Sequence, residues 1–248
     1  DLARARVCFA EPGTGGVTVH HGSTEGAGLP VLLEHPQHHA DGSLAAVDVV
    51  FLATDVPAVG YRSWLLRGRP EPGPLGWRPA VPPTAPPTAP PTVSPTASTV
   101  HATVPAVIEN ASFRLVVDPA RGGTVSELLD RRDGRSLLQP GRTGNELVVY
   151  DEYPAHPRFH EGPWHLLPKG APVHGSADRP AETVLVESCP LGERITVTGA
   201  VGPVRYTQRL ALWRGVDRID ATTHVDDFTG TDQLVRLRWP VTVPGALP

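Results

Sequence analysis

Two His-x-Asp triplets, His39-Ala40-Asp41 and His224-Val225-Asp226, are the first residues whose types and spacing suggest chemistry. Imidazole nitrogens and carboxylate oxygens both bind zinc, but a zinc site needs three or four such donors. Neither triplet has the rest of a closed set beside it in the sequence. His39 follows His35-Pro36-Gln37-His38, which reads as a surface turn, so a solvated loop is favoured over adventitious metal binding. His224 and Asp226 fall on a predicted strand, where alternation places both on one face. A solvated face is favoured there too. The adjacent carboxylates Asp151-Glu152 and Asp226-Asp227 point to opposite faces of a strand, a poor arrangement for acid/base work. No Gly-rich phosphate loop, Gly-x-Ser-x-Gly elbow or Cys-His dyad occurs. Cys8 and Cys189 read as reduced thiols or as one bridge.

The richest polar–aromatic stretch holds His156, His160, Glu161, Trp164 and His165, with Pro157 and Pro163 pinning it as an ordered loop. Arg158 can donate two hydrogen bonds to sugar hydroxyls, and Trp164 can stack on a pyranose face. Arg158, Glu161 and Trp164 are therefore the candidate substrate-binding residues. An irregular loop with Trp164 as a core anchor is the competing reading. No catalytic residue and no metal ligand is assigned.

The elements that must position these residues are strands. Alternating or compact apolar runs predict strands over residues 17–20, 31–34, 45–53 and 60–66, then over 113–118, 124–129, 136–138 and 146–150. Further strands are predicted over 182–188, 194–200, 206–213, 216–225 and 234–241. No ten-residue segment has 3.6-residue periodicity. Gly and Pro, at 25 and 29 of 248 residues, are too frequent for long helices. Turn signals every ten or so residues predict an all-β chain with a large antiparallel β-sandwich. Residues 79–96 read PAVPPTAPPTAPPTVSPT, which can join neither sheet nor helix because proline fixes φ and lacks the N–H donor. An extended spacer is favoured over an SH3-type ligand. The expected organisation is a small β domain (1–78), a Pro/Thr-rich linker (79–104) and the large β-sandwich (105–248, incomplete).

Composition excludes several classes. With 22 basic and 26 acidic residues the net charge is −4, which argues against nucleic acid as a partner. No apolar run approaches the ~20 residues needed to span a membrane, and the first residues lack the apolar stretch of a signal peptide. Lys169 is the only lysine among the basic residues, a bias that reflects GC-rich codon use and points to a bacterial source. The sequence has no Met and reads as a piece of something longer. A cytoplasmic location is expected, with secretion left open.

The order of residues is more specific than their composition. Val107-Ile108-Glu109-Asn110 opens a stretch that continues through Phe113–Asp118, the turn Gly122-Gly123 and the charged hairpin 130–135. Gly144-Asn145-Glu146-Leu147-Val148-Val149-Tyr150-Asp151-Glu152-Tyr153-Pro154 follows, and later Arg218-Ile219-Asp220, Val225-Asp226-Asp227-Phe228 and Trp239-Pro240-Val241. This series resembles the C-terminal β domain of glycoside hydrolase family 38, the class II α-mannosidases. In that family the corresponding elements run as an Ile-Glu-Asn opening, a "GN.L.LFED.P" strand and a "RIDFET.VDW" strand. Residues 53–61, Ala-Thr-Asp-Val-Pro-Ala-Val-Gly-Tyr, resemble the "A.DVPPLGY" element of the preceding small domain. The resemblance covers about residues 45–66 and 105–243 in family order. Departures are the long Pro/Thr linker, Phe228 in place of a tryptophan, and His165 in place of an acidic residue in the "WDAWDI" segment. Trp164 matches the second tryptophan of that segment, and Phe159 lies near the first.

The resemblance implies a galactose-mutarotase-like supersandwich, truncated here. It also implies a zinc-dependent retaining α-mannosidase as the full polypeptide, acting on α-mannoside glycans. The zinc ligands and the nucleophilic aspartate would lie in an N-terminal catalytic domain outside this sequence. This part would then be non-catalytic, bind no metal itself, and support the active site and glycan binding. A stand-alone carbohydrate-binding β-sandwich module is the alternative.

Overall fold

A computed structural model describes residues 1–22, 28–73, 75–80, 104–162 and 166–243. The Pro/Thr repeats and Trp164 lie outside the described residues, as does His165. The chain divides into two compact units, Asp1–Pro79 with Ser188–Gly192, and Ala80–Glu187 with Glu193–Pro248.

In the first unit the strands are β1 (Leu2–Cys8), β2 (Gly16–His21), β3 (Val31–His38), β4 (Leu44–Leu52), β5 (Trp64–Arg69) and the two-residue β6 (Arg78–Pro79). β1 to β5 form a three-stranded sheet, β1-β4-β3, and a β2-β5 pair. Val17, Val19, Val31, Leu33, Leu44, Val47, Val49 and Phe51 make one buried cluster, with Trp64 and Leu66 packed against it. β1 alternates small apolar residues with arginines, and the arginines find partners across the sheet. Arg4 reaches Glu34 at 2.8 Å and Arg6 reaches Asp48 at 3.0 Å.

Two expectations change in this unit. The predicted turn at His35–His38 is strand: β3 runs on to His38, and the turn proper follows, where His39 N–H donates to Ser43 O at 2.8 Å. Pro36 is tolerated because the β3–β4 register shifts between Glu34 and Gln37, so its missing N–H falls at an irregularity. The strand predicted over 60–66 starts only at Trp64, the residue paired with His21. Gly60 has φ +152°, and Tyr61 is 90% exposed.

The second unit holds β7 (Ala106–Glu109), β8 (Phe113–Asp118), β9 (Thr124–Asp130), β10 (Arg135–Ser136), β11 (Glu146–Asp151) and β12 (His174–Gly175). These are followed by β13 (Thr183–Cys189), β14 (Gly192–Val201), β15 (Val204–Trp213), β16 (Ile219–Phe228) and β17 (Gln233–Arg238). The strands are ordered β10-β9-β8-β7, β12-β11-β17 and β16-β15-β14-β13. The β7–β8, β8–β9, β11–β17 and β15–β16 pairs are antiparallel.

One core joins all three groups. Leu115 and Val117 from β8, Val125 and Leu128 from β9, and Leu147 and Val149 from β11 meet Ile195, Val197, Tyr206, Leu210 and Leu212. Burial alternates along β14 and the first half of β15, as a strand with one face inward must. The chain is all-β and this unit is an antiparallel sandwich. β1, β6, β7 and β12 are additional to the predicted strands. β6 takes in Pro79, the first residue of the stretch expected to join no sheet, at the end of a two-residue strand where a missing N–H is tolerated.

The Gly122-Gly123 turn shows why side chains are excluded there. Both residues have positive φ, +63° and +68°, and a Cβ on Gly123 would lie 2.3 Å from Val197 Cγ1. Beside it, Tyr206 donates its hydroxyl to Gly122 O at 3.2 Å, and burial pushes the phenol pKa up.

Candidate functional site

β11 positions the candidate loop. The last residue of the strand, Asp151, accepts from Lys169 N–H at 2.8 Å, and Glu152 bridges Pro168 across the loop base. Glu152 N–H also donates to Asp232 O at 2.8 Å, beside the start of β17. The chain therefore leaves at Tyr153 and returns at Leu167 through a pinned neck, where Tyr153 N–H donates to Leu167 O at 3.4 Å. Val149, two residues inside β11, is fully buried, so hydrophobic packing fixes the strand from which the loop departs.

Within the loop lies a tight inner turn. His156 N–H donates to Glu161 O at 2.9 Å, and His160 N–H donates to His156 O at 2.8 Å. His160 has φ +55°, the left-handed backbone that ends such a turn. The His156 ring turns back over the turn, where Nδ1 accepts the N–H groups of Arg158 and Phe159, each at 3.1 Å. The same ring stacks on Phe159 with centroids 4.6 Å apart and planes 24° from parallel. The Arg158 guanidinium lies 5.3 Å from the Phe159 centroid, within cation–π range.

Arg158 and Glu161 are both exposed on this one turn. The third candidate, Trp164, lies outside the described residues. Other side chains join the two. Lys169 Nζ stands 5.5 Å from the Tyr153 ring, Arg236 lies 5.2 Å from the Tyr150 ring, and Phe159 is 53% exposed. Cation–aromatic pairing thus recurs along the exit of β11. Sequence reasoning did not place Tyr153 or Lys169 in the site, since a pair so far apart in sequence becomes visible only once the neck is closed. Phe159 stood out only as lying near the first tryptophan of the family segment. The Pro157 that follows His156 was the one local sign of a turn there.

Among the described residues of the loop, from Tyr153 to Leu167, Glu161 is the one carboxylate, so no pair of carboxyl groups faces a common point. Aromatic faces, a guanidinium and a carboxylate suit the apolar and hydroxyl surfaces of a sugar.

The two His-x-Asp triplets are engaged elsewhere. His39 Nε2 faces Phe9 O at 3.1 Å, while Asp41 accepts from the Ser43 hydroxyl and N–H, the hydroxyl chiefly holding its carboxyl below the usual range. His224 and Asp226 do share one face of β16, with Nδ1 and Oδ1 2.9 Å apart. The Thr207 hydroxyl, 2.8 Å away, is the main cause of a lowered Asp226 pKa, followed by His224. Among the described residues no three or more His, Cys, Asp or Glu side chains could together hold a metal ion. These residues do not fit a zinc site, and no step is assigned to zinc on them.

The remaining motif residues are structural. Asn110 Oδ1 accepts Ser112 N–H at 2.9 Å and Phe113 N–H at 2.8 Å, while Nδ2 donates to the carbonyls of Trp213 and Val216. Gly144 lies under Trp239, whose Cε3 would be 2.7 Å from an added Cβ. Asn145 follows it at φ +56°, a backbone state in which asparagine is enriched.

No curated protein matches the chain. A family model does: glycosyl hydrolases family 38 C-terminal domain, over residues 108–246, from the strand beside Asn110 to the segment beyond β17. The chain therefore belongs to glycosyl hydrolase family 38, through that C-terminal domain.

Proposed function

We propose that residues 1–248 are the β-rich, non-catalytic part of a zinc-dependent retaining α-mannosidase, and that the loop from Tyr150 to Leu166 helps border its glycan cleft. The observation that carries this reading is the pinned loop on β11, which presents Arg158, Phe159 and Glu161 from a sandwich of family 38 type. Its partners would be α-mannoside glycans and an N-terminal catalytic domain of the same polypeptide, in the cytoplasm. Zinc, the nucleophile and the acid/base would all come from that domain. A retaining mechanism needs two carboxyl groups ~5–5.5 Å apart across the scissile bond, and residues 153–167 hold a single carboxylate, Glu161.

The test is direct. Purified residues 1–248, assayed on an aryl α-mannoside with added zinc, are expected to give no turnover above a heat-killed control. Clear turnover would overturn the non-catalytic assignment. The upstream reading frame separates this reading from a stand-alone binding module: a long frame with His-x-Asp after an apolar strand supports the mannosidase.

A further inference from the structure

We infer that His156 is the positioning residue of the loop: its neutral imidazole builds the turn that presents Arg158 and Glu161. The geometry is that of an Asx turn, in which a side-chain acceptor at one residue takes the N–H groups two and three residues later. In this turn the acceptor is Nδ1 of His156, and the donors are Arg158 N–H and Phe159 N–H at 3.1 Å each. Two backbone hydrogen bonds, His156 N–H to Glu161 O and His160 N–H to His156 O, close the same ring of residues.

Only one form of the ring can do this. Nδ1 offers a lone pair when the single ring proton sits on Nε2; in the imidazolium both nitrogens are donors. The ring also stacks on Phe159, which orients its edge toward the two N–H groups. Pro157, at the next position, pre-sets φ for the first step of the turn. Three local features therefore converge on one conformation, and the outcome is where the Arg158 and Glu161 side chains leave the backbone. The presentation of these residues to a glycan rests on the reading under Proposed function. The turn itself does not.

The experiment uses two variants of the 248-residue chain, His156→Leu and His156→Asn. Leucine keeps apolar contact with Phe159 and removes the acceptor. Asparagine loses the stacking and restores an acceptor oxygen in Asx geometry. Solvent exchange of the backbone amides is read by NMR, with Val197 and Leu210 as core references. In His156→Leu the amides of Arg158 and Phe159 should exchange about tenfold faster than in the wild type, as expected for lost hydrogen bonds. In His156→Asn they should stay within about threefold of wild type. Unchanged exchange in the leucine variant, or equal acceleration in both variants, overturns the inference.

A second arm titrates each protein with α-1,2-linked mannobiose. Shifts at Arg158 and Glu161 in the wild type, weakened by leucine and rescued by asparagine, carry the turn through to binding. If mannobiose moves nothing in the wild type, the glycan-binding reading fails, while the exchange data still decide the role of His156.

Discussion

Asn110 and His156 close their turns with the same device and to opposite ends. Each offers one side-chain acceptor to the N–H groups two and three residues ahead, Ser112 and Phe113 in one case, Arg158 and Phe159 in the other. Asn110 then adds two donated bonds to the carbonyls of Trp213 and Val216, across to the β15–β16 turn. Its neighbours Ser112 and Phe113 are buried. The turn around His156 sends Arg158, Phe159 and Glu161 into solvent. The Nδ1 contacts of His156 stay within its own loop, whereas the Asn110 amide reaches a second loop through its Nδ2 donor. The first is suited to presenting side chains and the second to holding a sandwich together.

The comparison predicts unequal costs. The largest falls at Trp213, whose carbonyl receives Asn110 and whose ring is buried with Nε1 donating to Asp220 at 2.8 Å. Trp213→Ala should cost about 3–5 kcal/mol, measured from urea midpoints at constant m. A loss below about 1 kcal/mol would mean that the β15–β16 end of the sandwich does not depend on this ring.

Asn110→Ala comes next. Four hydrogen bonds disappear, but Trp213 O keeps Val216 N–H at 3.4 Å, so three groups are stranded, which at a net ~1 kcal/mol each gives about 3 kcal/mol. The matching His156→Ala should cost under about 1 kcal/mol, because the groups it strands can turn to water. Equal costs would break the distinction between the two turns.

On the presenting side, Arg158→Ala should leave stability within about 0.5 kcal/mol of wild type. It should weaken mannobiose binding about tenfold, the loss of one charge-assisted contact to a hydroxyl. In the complete enzyme the same change should raise KM with kcat held. A fall in kcat alone would move Arg158 from binding to chemistry.

How far the sequence reveals this can be judged residue by residue. Strands 113–118 and 206–213 are legible because alternation reports a buried face, and the structure places β8 and β15 there. β1 was not legible: its Leu-Ala-Arg-Ala-Arg-Val-Cys run alternates, but with small residues and arginines whose partners Glu34 and Asp48 lie on other strands. The second half of β3 is not legible beyond the apolar run 31–34, since a bulge that excuses Pro36 leaves no local mark. For the site, residue types in 156–161 marked a polar loop, and Pro157 marked a turn. That His156 accepts rather than binds metal or faces water depends on ring orientation, which one-dimensional spacing does not encode. Asn110 was visible only through the family pattern, because its donors' targets are about a hundred residues away.

The smallest expected effect sharpens the scaffold side through pH. Asp130 ends β9 beside the Asn110 turn, and Arg131 N–H donates to Ser112 O at 2.8 Å, so the two turns are joined. The Arg132 guanidinium grips the Asp130 carboxylate at 2.7 Å and is the main cause of a pKa lowered to about 2. An unfolded aspartate titrates near ~3.9. A carboxylate depressed in the folded state stabilises it above the unfolded value, and that contribution fades as pH falls through the folded value. The loss should therefore fall between about pH 4 and pH 2. Asp41, Asp48 and Asp226 are lowered too, so the useful quantity is a difference. Stability of wild type minus Asp130→Asn should be flat above about pH 5 and shrink below about pH 4. NMR titration of the Asp130 side-chain carbon supplies the second reading: about 2 in the wild type, moving toward ~4 in Arg132→Gln. If Asp130 still titrates at its wild-type position without the guanidinium, then the backbone N–H of Arg132, not its side chain, holds the charge at this turn.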